Sequence, residues 1–369
     1  MKKIFILTLL VALVLSACDS GSKGGSSTDT DFDRSKMLDN MAQNLIRPAY
    51  ADLSNKLTAL QASASAFAVN PSETTLAPLR QAWFAAAQTW QYANAYNFGP
   101  ASEDGLRKGL VEEVGTFPVS EEKVEVAIAA GQWNFNDFNR DARGLYTVEY
   151  LIFGKNNGST EQVVGTFLAQ PTRLLYLVAL CSDLKDRVAA VESGWQTYSA
   201  SFLANAGTSA GSSTSQLYNQ FVQSFEAIKN FKVGLPLGKR PGQTSALPEK
   251  VEAYYSGQSL QLLENHLTAL ENIWRGRSRE GVDGIGFREY LNDVTGGPEL
   301  IAQTETQLAS IKTALAALPK NQPLAAQITS NPMAVETLYT ELQKHTRFFK
   351  SDMSSLLGIA ITYSSGDGD

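Results

Sequence analysis

Histidine and cysteine are scarce in this chain: two of each stand among 369 residues. The histidines, His266 and His345, lie in the helical contexts LENHLTALENIW and LQKHTRFF. Both read as surface or helix-cap residues. No HExxH is present, and a zinc hydrolase normally uses two or three nitrogen ligands beside a general base. No GxSxG, P-loop or GxGxxG stands in a suitable context. Strand signals are sparse. A basic excess is also missing: 31 Lys and Arg face 37 Asp and Glu, for a net charge of −6. An acidic body argues against nucleic acid and against an electrostatic hold on an anionic membrane.

The amino terminus reads as an export signal. Lys2 and Lys3 supply the positive start, and Ile4 to Leu15 form an apolar run too short to span a bilayer. Leu15-Ser16-Ala17-Cys18 then reads as a lipobox. Residues 1–17 are expected to be removed, leaving Cys18 as a fatty-acylated (palmitate-bearing) first residue. Several acyl chains anchor firmly where one is marginal. Loss of Lys2 and Lys3, with no acid, takes the net charge to −8. Residues 18–35 hold the lipidated cysteine and the tether GSKGGSSTDTD, flexible by composition. The expected location is the cell envelope, facing the periplasm. Asp19 leaves the choice of inner or outer membrane open. Cys181, in LLYLVALCSDL, reads as a small buried hydrophobe.

The rest is helical in period almost throughout. Tyr50, Leu53, Leu57, Leu60, Ala64 and Phe67 alternate steps of three and four, as in a bundle seam. Pro48 is expected to kink or start that helix. Asn70-Pro71-Ser72 opens the next, whose buried face is Leu76, Trp83, Ala87 and Trp90, and Phe98-Gly99-Pro100 stops it. Ser120 is an expected N-cap, followed by Glu121 and Glu122. Thr172 to Leu203 reads as one long helix. In the second half Ser215 to Phe231, Pro248 to Trp274, Pro298 to Leu318 and Pro332 to Leu357 are helical in period. The segment AGTSAGSST is the clearest linker. The expectation is an all-α fold of two similar four-helix-bundle domains packed side by side, 36–205 and 215–369, joined by residues 206–214.

The most informative stretch is Arg143–Gly154, RGLYTVEYLIFG. It is apolar almost all round, so it belongs inside. Yet it carries Glu149, three residues after Tyr146 and on the same helix face. A buried carboxylate is costly unless paired or hydrogen-bonded. Asp141 is an expected cap for this helix and Gly154 an expected end. Gly144-x4-Glu149-Tyr150-Leu151 has an echo in Gly284-x4-Glu289-Tyr290-Leu291.

The same stretch resembles the signature of the imelysin-like proteins: a glycine, a histidine two residues later and a glutamate three after that. Gly144 and Glu149 match, and Tyr146 stands at the histidine position. Further elements resemble the family in order along the chain. They are Trp83 through Trp90 ending at Phe98-Gly99-Pro100, then KVGLPLG from Lys232, SGQSL from Ser256, and the closing Gly366-Asp367-Gly368-Asp369. The resemblance covers residue 36 to the end. It implies two similar four-helix bundles with a site between them, export, and association with bacterial iron uptake. It also carries an older metallopeptidase classification. Asn94 stands where the family often has a glutamate, so two metal-ligand positions are altered together.

Three readings of Glu149 follow. It is satisfied within the protein, it belongs to a ligand pocket, or it binds metal. The pocket reading takes Glu149, Tyr146, Arg143, Asn94, Trp90, Lys232, Ser256 and Ser259 as lining. The metal reading takes Tyr146 and Glu149 as hard oxygen ligands suited to ferric iron. The functional expectation is a non-enzymatic binding protein of the envelope, acting with iron-uptake partner proteins. A hydrolase and a pure partner-docking module are the alternatives.

Overall fold

The structure is a computed structural model and describes residues 31–103, 109–155 and 158–363. The signal, Cys18, most of the tether and the closing Gly366–Asp369 lie outside the described residues. All regular structure among the described residues is helical. In the first half come α1 (Arg34–Asn40), α2 (Arg47–Val69), α3 (Glu73–Ala93), α4 (Leu110–Val114), α5 (Glu121–Ala130), α6 (Leu145–Phe153), α7 (Thr160–Ala169) and α8 (Pro171–Ala204). The second half has α9 (Ser213–Ala227), α10 (Ser259–Arg275), α11 (Phe287–Asn292), α12 (Gly297–Ala316), α13 (Leu324–Ser330), α14 (Pro332–Arg347) and α15 (Ser354–Leu357).

Three helices pass through π-helical turns. Met41–Ile46 links α1 to α2, Ile228–Gly234 continues α9, and Phe348–Met353 links α14 to α15. Pro48 takes the second position of α2, directly after the first π stretch, so the helix begins anew there. Pro71 sits before the cap of α3 rather than inside it, because Ser72 holds the cap position and exchanges bonds with Thr75. Ser120 caps α5 through the Lys123 amide at 3.4 Å.

The seam read on α2 is buried at every position named. α2 packs between α3 and α8, with α6 and α7 closing the group; α12 packs on α14, and α10 lies against the extended α9. α10 also packs on α3. α1 touches α8, α9 and α11, and Asn40 donates its amide to Gly276 O at 2.7 Å and Ile285 O at 2.9 Å. The buried apolar side chains form one continuous cluster from Met37 to Ile359. Cys181 lies in it, with burial pushing its thiol up to about 12. No single described helix is long and apolar enough to cross a membrane.

Two sequence expectations change. Pro248 to Trp274 is not one helix: Pro248–Lys250 is a single 3₁₀ turn, an irregular stretch follows, and α10 starts only at Ser259. Ala253 there has φ 53° and Gly257 φ 70°, which no α-helix accommodates. The histidines are also not surface or cap residues. His266 follows Leu262 and Leu263 on the buried stripe of α10, and His345 follows Val335, Leu338 and Leu342 on that of α14.

His345 is packed among the rings of Phe225, Phe348 and Phe349, the last edge-on at 4.2 Å. Neither ring nitrogen has a hydrogen-bond partner. Burial lowers its pKa from 6.5 to about 3. Between those values the unfolded chain takes up a proton that the folded state refuses, so stability falls as pH drops. In urea unfolding from pH 7 to pH 4, His345→Leu should flatten that slope by about one proton, or ~1.4 kcal/mol per pH unit. An unchanged slope would rule out His345 as the source.

Candidate functional site

The site is built around α6. Gly144 precedes it with φ 88°, and a Cβ there would lie 2.7 Å from Val114 O. Only glycine fits both demands. Asp141 is not its cap, because residues 140–142 form a separate 3₁₀ turn and Arg143 is extended. Asp141 instead pairs with Lys123 at 2.8 Å. Gly154, φ 72°, ends the helix as expected. α3 clasps α6 near both ends: Trp83 Nε1 donates to Leu145 O and Arg80 Nε to Ile152 O, each at 2.8 Å. The arginine meets carbonyls that the end of a helix leaves unpaired. Residues Leu145 to Ile152 are all buried.

Glu149 finds its partner in the irregular stretch. The Ser256 amide donates to Oε1 at 2.6 Å. Burial pushes the carboxyl up to about 8; the Ser256 hydroxyl and amide and the Tyr255 amide pull against the rise, while the Glu252 charge adds to it. The echo segment behaves differently. Glu289 on α11 reaches back to the Gly286 amide at 2.8 Å and is half-exposed.

Tyr146 donates its hydroxyl to Glu252 Oε1. Burial, then the Glu252 charge and hydrogen bond, hold the phenol well above its ordinary range. Gln91 Nε2 donates to the same oxygen at 3.2 Å, and the Lys232 ammonium sits 2.7 Å from Glu252 Oε2. Burial lowers the Lys232 pKa, opposed by Glu252.

The polarity of the neighbouring groups follows from these charges. Lys232 can only donate, so the atom it meets at 2.5 Å must be Gln91 Oε1. Asn94 Nδ2 donates to that oxygen at 3.3 Å, which leaves Asn94 Oδ1 as an acceptor. Ser224 donates its only proton there, at 3.2 Å. Its oxygen must then accept from His266 Nε2 at 2.7 Å. The imidazole therefore carries its proton on Nε2, and Nδ1 is a buried lone pair without a partner. Burial, with the Lys232 charge, keeps it neutral by lowering its pKa well below the usual range. The Ser224 hydroxyl proton points away from the imidazole, so this pair does not present an activated nucleophile.

Two cavities flank the cluster. One of about 440 Å³ is walled by Trp90, Asn94, Phe117, Lys232, Glu252 and His266, among others. The other, about 240 Å³, is walled by Phe117, Tyr146, Glu149, Tyr254 and Tyr255, among others. Phe117 belongs to both. Of the residues singled out in sequence, Trp90, Asn94 and Lys232 meet at the first cavity and Tyr146 and Glu149 at the second, while Ser256 anchors Glu149. Arg143 is not brought there. It is buried against Glu113 at 2.7 Å and Asp137 at 3.3 Å, and lines a separate cavity with Trp133 and Tyr176. Ser259 opens α10 with its hydroxyl buried and unpaired, and lines neither cavity.

Gln91, Glu252, Ser224 and His266 were missed. His266 was legible in the three-and-four spacing from Leu262 and Leu263. Glu252 was hidden by a helical period that the chain does not follow.

The donor set does not fit a metal ion. Tyr146 is a protonated donor, Glu149 is engaged by backbone amides, and an ammonium already faces Glu252. Among the described residues no group of three or more His, Cys, Asp or Glu is placed to hold a metal.

The class of fold is an all-α body with a buried, glycine-initiated helix at the candidate site. The imelysin (peptidase M75) family model matches residues 46–347, and the chain is a member of that family. It is similar to the iron-regulated protein A of Synechococcus elongatus, 23% identical over 318 residues, covering 83% of this chain and 82% of that protein. Two crystal structures share the fold. One is described as an iron-regulated protein A precursor from Parabacteroides distasonis, with TM-score 0.72, 17% identity and coverage of 91% of this chain and 97% of that one. The other is an imelysin-like protein from Psychrobacter arcticum, with TM-score 0.70, 20% identity and coverage of 90% and 99%.

Because Glu149 is raised above its unfolded value of 4.5, its contribution to stability is full below pH 4.5 and is lost as pH rises to about 8. Glu149→Gln should remove about one proton's worth of that decline, ~1.4 kcal/mol per pH unit, in urea titrations between pH 5 and 8. A decline of the same slope in the variant would show that Glu149 is ionised throughout.

Proposed function

We propose that this chain is a lipid-anchored, non-enzymatic binding protein of the cell envelope, with its ligand site in the 440 Å³ cavity. The observation that supports this most is the cavity wall itself. Pockets that bind small molecules are of this size and combine apolar rings with a few oriented polar groups. Here Trp90 and Phe117 supply rings, while the chain from Lys232 to His266 fixes each polar group. The reading places the cavity between two four-helix bundles, the first carrying α3 and the second α9 and α10. The relatives are described as iron-regulated, and the reading assigns this chain the same iron-acquisition setting. Iron itself is left to a partner or to the ligand, since the donor set does not suit a bound ion.

Two experiments test this. Cys18→Ser should move the protein from the membrane fraction to the soluble periplasmic fraction; unchanged partitioning would remove the lipid anchor. Ala227→Trp, which fills the cavity from α9, should keep the melting temperature within a few degrees. Native mass spectrometry of the mature parent protein should show a bound small molecule that the variant lacks, and growth of the variant under iron limitation should fail. Growth and bound mass equal to the parent's would sink the cavity as the site.

A further inference from the structure

The wall of the 440 Å³ cavity holds several ionisable groups, and among the described residues that line it none is an unpaired charge. Glu112 meets Arg140 Nε at 3.2 Å. Glu226 is held by Lys350 at 3.0 Å and by the Tyr363 hydroxyl at 2.6 Å. Glu252 is held by Lys232 at 2.7 Å. His266 is neutral by the hydrogen-bond argument above. Among the described residues, an anion or cation entering this space finds no counter-charge that is not already spoken for, and would itself be poorly solvated.

The remaining polar lining has another character. Asn97, Gln220 and Gln223 face this cavity. A carboxamide offers both a donor and an acceptor, which is the pairing a hydroxyl needs. At Asn97 the oxygen is taken by the Val111 amide at 3.1 Å, so its nitrogen is turned to donate. Aromatic surface lies at two depths. Trp90 is buried, and Phe231 is 46% exposed, with the Arg240 guanidinium 5.0 Å from its ring centre. The negative face of such a ring attracts the partly positive C–H face of a saturated ring such as a pyranose.

Resting on the binding reading above, we propose that the cavity takes an uncharged, hydroxyl-rich ring compound, that is, a neutral saccharide. Carboxamides bind its hydroxyls, Phe231 stacks on its ring, and the paired charges exclude ionic ligands. Because no net charge is exchanged, affinity is insensitive to salt.

The test is titration of the mature protein, followed by calorimetry and tryptophan fluorescence. The neutral probes are maltose, cellobiose and N,N′-diacetylchitobiose; citrate and spermidine serve as anionic and cationic probes. At least one sugar should bind with equal affinity at low and high salt. Phe231→Ala should weaken it about tenfold with no change in melting temperature, and Ala227→Trp should abolish it. If citrate or spermidine binds instead, with salt-sensitive affinity lost in Ala227→Trp, the ligand class is wrong and the site stands. If no probe binds and the protein carries no small molecule, both readings fail. Sugar binding that survives Ala227→Trp would overturn the placement.

Discussion

Glu252 is the group on which the rest of the site depends. Its carboxylate takes a proton donor from α6 (Tyr146), one from α3 (Gln91) and an ammonium from the π-helical turn after α9 (Lys232). Four separate segments are thereby held at one point. A buried ion pair is costly to form and costlier to break, so removing one partner typically costs ~3–5 kcal/mol. The pair is tolerable because both its members find further hydrogen bonds. The left-handed backbone at Ala253, next in the chain, marks how tightly the segment is drawn in.

From that anchor a polar chain runs through Gln91, Asn94 and Ser224 to His266. Each amide and hydroxyl has its orientation forced by the charge at one end. This also explains how the chain keeps the family frame without a metal-type donor set. Tyr146 donates where an unprotonated imidazole nitrogen would offer a lone pair. Asn94 is neutral where a glutamate would be charged. Lone pairs that would face a metal are turned toward protein protons instead.

Much of the fold was legible in residue spacing. The α2 seam, the buried face of α3, the cap at Ser120 and the break at Gly154 follow from local rules, and each is found where those rules put it; α3 instead ends at Ala93, before Phe98-Gly99-Pro100, whose glycine opens a separate 3₁₀ turn. Local rules failed where long-range partners prevailed. Pro248 to Gln258 has helical spacing, but Glu252 and the Ser256 amide are drawn to Tyr146, Lys232 and Glu149. Arg143, next to Gly144 in the chain, turns away to the buried Glu113.

The sequence by itself determined the all-α class, the imelysin frame and the need of Glu149 for a partner. Periodicity and the cost of a buried carboxylate are properties of a segment and need no knowledge of its neighbours. Only the tertiary structure decided which partner that is, that Glu252 and His266 join the site, and that its charges close on one another. Those outcomes depend on contacts between residues more than a hundred positions apart, such as Glu149 with Ser256, which no local pattern encodes.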